Sequence, residues 1–100
     1  MIRFTTPTIK IRVTNVNPDT FDMVKLTLSQ VGAESLTKNA DIEGDVVSIH
    51  LTQTESARFR REFPASVQVN AWKGEERYAG NVLNVPVLDN LLSEVIPNDA

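Results

Sequence analysis

Apolar and polar residues alternate along much of this chain. Ile9, Ile11 and Val13 alternate with Lys10, Arg12 and Thr14, a period of two that buries one face of a β-strand. Val24, Leu26 and Leu28 repeat the pattern against Lys25, Thr27 and Ser29. Val47, Ile49 and Leu51 repeat it against Ser48, His50 and Thr52, and Val67, Val69 and Ala71 against Gln68, Asn70 and Trp72. Leu83, Val85 and Val87 line up similarly, and a weaker run from Ser35 to Lys38 predicts a short strand. Many of these positions are β-branched, as strands favour. Turn chemistry separates the runs. Pro18 fixes φ in the loop Asn17-Pro18-Asp19, Gly32 and Glu43-Gly44-Asp45 mark further turns, and Lys73-Gly74-Glu75-Glu76 reads as a hairpin. Short strands at this spacing predict an all-β, immunoglobulin-like antiparallel sandwich of about six to seven strands. The cysteine–tryptophan–cysteine signature of antibody domains is absent, so the term describes architecture only.

Two stretches break the period of two. The first is LTQTESARFRREF, residues 51–63. Thr52 and Glu55 have capping-box spacing, which predicts a short crossover helix from Gln53 to Arg61. In that register Ala57 faces the core, and Phe59 and Phe63 share one face before Pro64 ends the turn. Arg58, Arg60 and Arg61 fall on the outer side, near the C-terminal end where cations are favoured. The second stretch runs from Leu88 to Ile96. Leu88, Leu91, Leu92, Val95 and Ile96 follow i, i+3, i+4, i+7, i+8, an apolar stripe that allows a C-terminal helix capped by Asp89 or Asn90. The expected organisation is a sandwich over residues 1–87, followed by an apolar segment and tail over 88–100. The stripe either docks on its own sandwich or meets another chain.

Composition narrows the chemistry. There is no cysteine, which removes disulfides and thiolate metal sites and fits a reducing compartment. A net charge of −3 gives no global basic footprint for nucleic acid. No run of 18 apolar residues exists, and the opening residues carry no signal-peptide apolar region. His50 is the only histidine and lies on the outward strand face. The acidic group Asp41, Glu43 and Asp45 around Gly44 does not match the spacing of a calcium loop. No serine or threonine comes with the oriented base and oxyanion stabiliser that a nucleophile needs. The expectation is therefore a non-enzymatic protein with no cofactor, metal site, nucleic-acid partner or membrane partner. Trp72, on the face opposite Val67, Val69 and Ala71, is a candidate interface anchor. With Leu88, Leu91, Leu92, Val95 and Ile96 it makes up the predicted partner-binding set.

Three segments carry a resemblance: TTPTIKIRV at the start, VSIHLTQTESARF in the middle, and VPVLDNLLSEVI near the end. Together they resemble short proteins of about a hundred residues encoded among the tail and baseplate genes of phages and prophages of Gram-positive bacteria. The chain is also similar to the N-terminal domains of baseplate upper proteins. Ser56-Ala57-Arg58 and the basic residues after Phe59 depart from that pattern. The resemblance implies a structural or assembly protein whose partners are other tail or baseplate subunits, or further copies of itself as a homo-oligomer. It implies residence in the host cytoplasm during assembly, and either a place in or near the virion tail or an accessory role in building it. Two other classes stay open at this point: a regulatory protein that sequesters another protein, and a carbohydrate-binding module using Trp72 and Tyr78.

Overall fold

The computed structural model describes residues 1–14, 17–61, 63–88, 90 and 91. Its elements are β1 (Thr8–Arg12), a single 3-10 turn (Pro18–Thr20), β2 (Met23–Ser29), β3 (Leu36–Asn39), β4 (Asp41–Glu43), β5 (Val46–His50), α1 (Gln53–Ala57), β6 (Ala65–Lys73), β7 (Glu76–Ala79) and β8 (Leu83–Val85). They form two packed antiparallel sheets. The smaller has the order β1-β5-β4 and the larger β3-β2-β6-β7, with β8 also paired to β6. The long strand β6 therefore pairs β2 along one side. On its other side it pairs β8 at Ala65–Val67 and β7 at Asn70–Lys73.

Most of the alternating runs supply the core as their pattern predicts; the last does so only at Val87, because Leu83 on β8 is 47% exposed and Val85 half-buried. Val24, Leu26 and Leu28 of β2, Val47 and Ile49 of β5, and Val67 and Ala71 of β6 are buried between the sheets, together with Leu51, Phe59 and Val87. Ile9, Ile11, Val13 and Val69 pack against this cluster but stay partly exposed. Two tight hairpins close on glycine. Gly44 joins β4 to β5 and Gly74 joins β6 to β7, each at φ +61, a conformation glycine adopts without steric cost.

Among the described residues eight strands appear where about six to seven were expected. The additional ones are β4, with a single half-buried apolar residue (Ile42), and β7, all of whose residues are exposed. Both are recruited by a neighbouring strand through a hairpin, not by an apolar alternation of their own.

The crossover helix is present but shorter than predicted, ending at Ala57 instead of Arg61. Its capping box is complete. Thr52 Oγ1 accepts from the Glu55 amide at 3.1 Å, and the Thr52 amide donates to Glu55 Oε1 at 2.9 Å. The early stop has a physical cause in Gln30, which is buried. Its side-chain oxygen accepts from the Arg60 amide at 2.6 Å, and its Nε2 donates to the carbonyls of Arg60 and Phe63, both at 2.6 Å. The Arg60 amide that a longer helix would turn back on itself is thereby held by a strand-end glutamine. This also corrects the predicted faces. Ser56, not Ala57, is the helix residue fully buried, and Phe59 is buried while Phe63 is 41% exposed. The ring of Phe63 lies outside, with the Arg60 guanidinium 5.8 Å from its centroid.

Candidate functional site

The two chain ends meet at one end of the sandwich. Ile2 and Leu88 form a parallel β-bridge. The Arg3 amide donates to the Leu88 carbonyl at 2.8 Å, and the Leu88 amide donates to the Met1 carbonyl at 2.7 Å. Asn90 Nδ2 donates to the Arg3 carbonyl at 3.2 Å, and the Met1 ammonium donates to the Pro86 carbonyl at 2.6 Å. The N-terminal arm is in turn strapped to α1. Arg3 Nη2 donates to the Ala57 carbonyl at 3.0 Å, satisfying one of the helix-end carbonyls. Ser56 Oγ accepts from the Thr5 amide at 3.1 Å and donates to the Thr5 carbonyl at 2.7 Å.

This clasp spends backbone hydrogen bonds inward and turns side chains outward. Ile2 is 45% exposed, Leu88 56% and Leu91 fully exposed. Val87, one residue earlier, is buried in the core, so the chain is anchored at the point where its apolar side chains begin to face water. Single exposed apolar residues are ordinary on a surface. Apolar residues grouped together on a surface are a form in which partner sites are found.

Of the predicted partner-binding set, Leu88 is therefore on this surface and Leu91 is exposed just beyond it, while Leu92, Val95 and Ile96 lie outside the described residues. Trp72 is not brought to them. It sits near the far end of β6, seven residues beyond the Ala65–Val85 pair, or roughly 23 Å of strand. There it is half-buried, with the Arg77 guanidinium 5.0 Å from its ring centroid. Tyr78 packs edge-on against Phe21 at 5.4 Å, and its hydroxyl donates to the Glu76 carboxylate. That hydrogen bond to an anion raises the Tyr78 pKa. The Ile2 contribution was missed from sequence, because nothing local to residue 2 signals pairing with residue 88.

Several of the other polar candidates have structural partners. His50 is exposed, and its Nδ1 is 3.0 Å from Thr8 Oγ1 across the β1–β5 pair. Lys38 donates to the His50 carbonyl at 2.6 Å and to Glu55 Oε1 at 2.8 Å. Burial alone would raise the Glu55 carboxyl, but the hydrogen bonds from Lys38 and the Thr52 amide outweigh it, and its pKa is lowered. Asp41 and Glu43 belong to β4, and Asp45 pairs with Arg12 at 3.4 Å. Among the described residues no group of three or more histidine, aspartate or glutamate side chains could hold a metal ion, and no helix is long and apolar enough to cross a membrane. Compared with known proteins, the chain matches no family model and no curated relative.

Proposed function

We propose that this protein is a non-enzymatic structural or assembly component of a phage or prophage tail or baseplate, acting through protein–protein contacts. The observation that carries the reading is the terminal clasp, which presents Ile2 and Leu88 to solvent from a backbone fixed by hydrogen bonds, with the exposed Leu91 three residues further on. A preorganised apolar surface loses little freedom when a partner covers it. The resemblance of three segments spread along the chain to short tail-module proteins supplies the biological setting, and a β-sandwich suits a component that works by presenting surfaces.

Photo-cross-linking tests the proposal. A photoreactive residue replaces Leu88 or Leu91 while particles assemble, and mass spectrometry identifies the product. The expected product joins this chain to a tail or baseplate subunit. Cross-links confined to a soluble regulatory protein would overturn the assignment and favour the sequestration reading.

A further inference from the structure

The sandwich is closed along one side and open along the other. On one side the chain passes from β3 to β4 through Ala40, linking the two sheets. On the opposite side β1 is the edge of the small sheet, while β7 and β8 border the large one. Between them lies a cleft of about 430 Å³, with Ile11 and Val13 on one wall and Phe21, Val69, Tyr78 and Leu83 on the other. Ile9, Ile11 and Val13 occupy inward positions yet remain partly exposed, as inward residues do when a sandwich lacks a strand.

The edge of β1 is ready to pair. The Leu51 amide donates to the Pro7 carbonyl and the Val13 amide to the Asp45 carbonyl. In the antiparallel ladder this directs the backbone groups of residues 7, 9, 11 and 13 toward β5. Those of Thr8, Lys10 and Arg12 therefore point away from it. Among the described residues β1 pairs only with β5, and its five residues contain neither proline nor glycine. The β7–β8 border is a poorer template, because Gly80–Val82 interrupt it and Pro86 follows.

Charge selects the occupant. Thr8, Lys10 and Arg12 are exposed on the outer face, and among the described residues Lys10 has no ion-pair partner. A second copy pairing antiparallel with Ile9 and Ile11 kept inward would set Lys10 against Thr8, Lys10 or Arg12 of the other copy. Lysine at a free edge is a recognised guard against such self-pairing. An incoming strand with acidic outward residues instead meets Lys10 favourably, and beside it Arg12, whose guanidinium also holds Asp45 at 3.4 Å. Its inward residues enter a cleft with room for about two or three apolar groups, on the scale where roughly 150 Å³ admits a benzene.

We propose that the β1 edge and its cleft receive an extended segment of a partner protein, in which apolar residues alternate with acidic ones, as a fourth strand of the small sheet. This rests on the reading of the protein as a component that works by protein contact. The probe is the peptide Val-Glu-Val-Asp-Val-Glu-Val, compared with its all-lysine counterpart, titrated into the isotope-labelled full chain and followed by amide NMR shifts. The acidic peptide is expected to shift Thr8–Val13, Val69 and Leu83 and to bind at least tenfold more tightly than the basic one. Lys10→Pro removes an outward amide without touching the β5 ladder and should abolish binding. Lys10→Glu with Arg12→Glu should reverse the peptide preference even if the proline variant fails to fold.

Equal affinity for both peptides, or shifts confined to other elements, would overturn the proposal. So would β1 shifts that appear on simple dilution, which assign the edge to a second copy. So would β1 shifts on deleting residues 92–100, which assign it to the chain's own tail. Peptide failure with intact cross-linking from Leu91 sinks the strand-addition site alone. Peptide binding without tail cross-links sinks the functional reading alone.

Discussion

Gln30→Ala is the substitution that most sharply probes how the crossover is held. Gln30 is 6% exposed, and its side chain makes three hydrogen bonds of 2.6 Å to backbone thirty or more residues away. The partners fix the amide's orientation: two carbonyls require the NH₂ and one amide requires the oxygen. Each such bond contributes about 1 kcal/mol net, and leaving a buried partner unpaired costs about 1–3 kcal/mol. Arg60 and Phe63 are exposed residues, so water can reach part of the freed backbone and the sum falls toward the lower end. The expected loss is about 2–3 kcal/mol, or a fall in Tm of roughly 8–24 °C for a domain of this size. Urea unfolding measures the total, and hydrogen exchange at the Arg60 amide measures the local release. Gln30→Glu adds a sign test. It keeps the acceptor for Arg60 but turns a carboxylate toward two carbonyl oxygens, which raises its folded pKa above the usual value of about 4.3. The variant should therefore be least stable at neutral pH and recover as pH falls and the carboxyl protonates. A Gln30→Ala loss below about 1 kcal/mol, with unchanged exchange at Arg60, would refute the claim that this glutamine ends the helix.

Phe59→Ala removes a ring with no exposed surface and should cost about 3–5 kcal/mol in chemical denaturation; Phe63→Ala, on an exposed ring, should cost much less. Ser56→Ala breaks both bonds to Thr5 and should cost about 1–3 kcal/mol, with faster hydrogen exchange at the Thr5 amide. The lowered pKa of Glu55 means its contribution is present above the unfolded value near 4.5 and lost as pH falls through the folded value. Stability against pH should thus fall less steeply below 4.5 in Glu55→Gln than in the unaltered chain.

The strands legible in the sequence were those that carry their own alternation. Leu26, Leu28, Val47, Ile49 and Val67 each announce a buried face within a few residues of context. The strands β4 and β7 carry almost no apolar signal and exist because Gly44 and Gly74 fold them back onto committed neighbours. The capping box at Thr52 and Glu55 located the start of α1, but its end is set by Gln30, a residue whose role no local pattern reveals. Long-range polar contacts are invisible to periodicity for the same reason at Ser56 and Thr5. Of the partner-binding surface, Leu88 and Leu91 were readable as apolar positions that a sandwich core does not require. Their companion Ile2 and the β1 edge emerge only from pairing across the fold.

On the proposed reading as a tail or baseplate component, the exposed apolar side chains of the terminal clasp serve to be covered by another protein, while its hydrogen bonds hold the chain ends. The variant Ile2→Ser, Leu88→Ser, Leu91→Ser separates these roles, because all three side chains are exposed while the clasp is built from backbone hydrogen bonds. Unfolding free energy and incorporation into assembled particles are measured on the same protein. The account predicts a stability change within about 0.5 kcal/mol, as for ordinary surface substitutions, together with loss of incorporation. A protein destabilised by more than about 2 kcal/mol, on the scale of a buried side chain, yet incorporated as before, would contradict it.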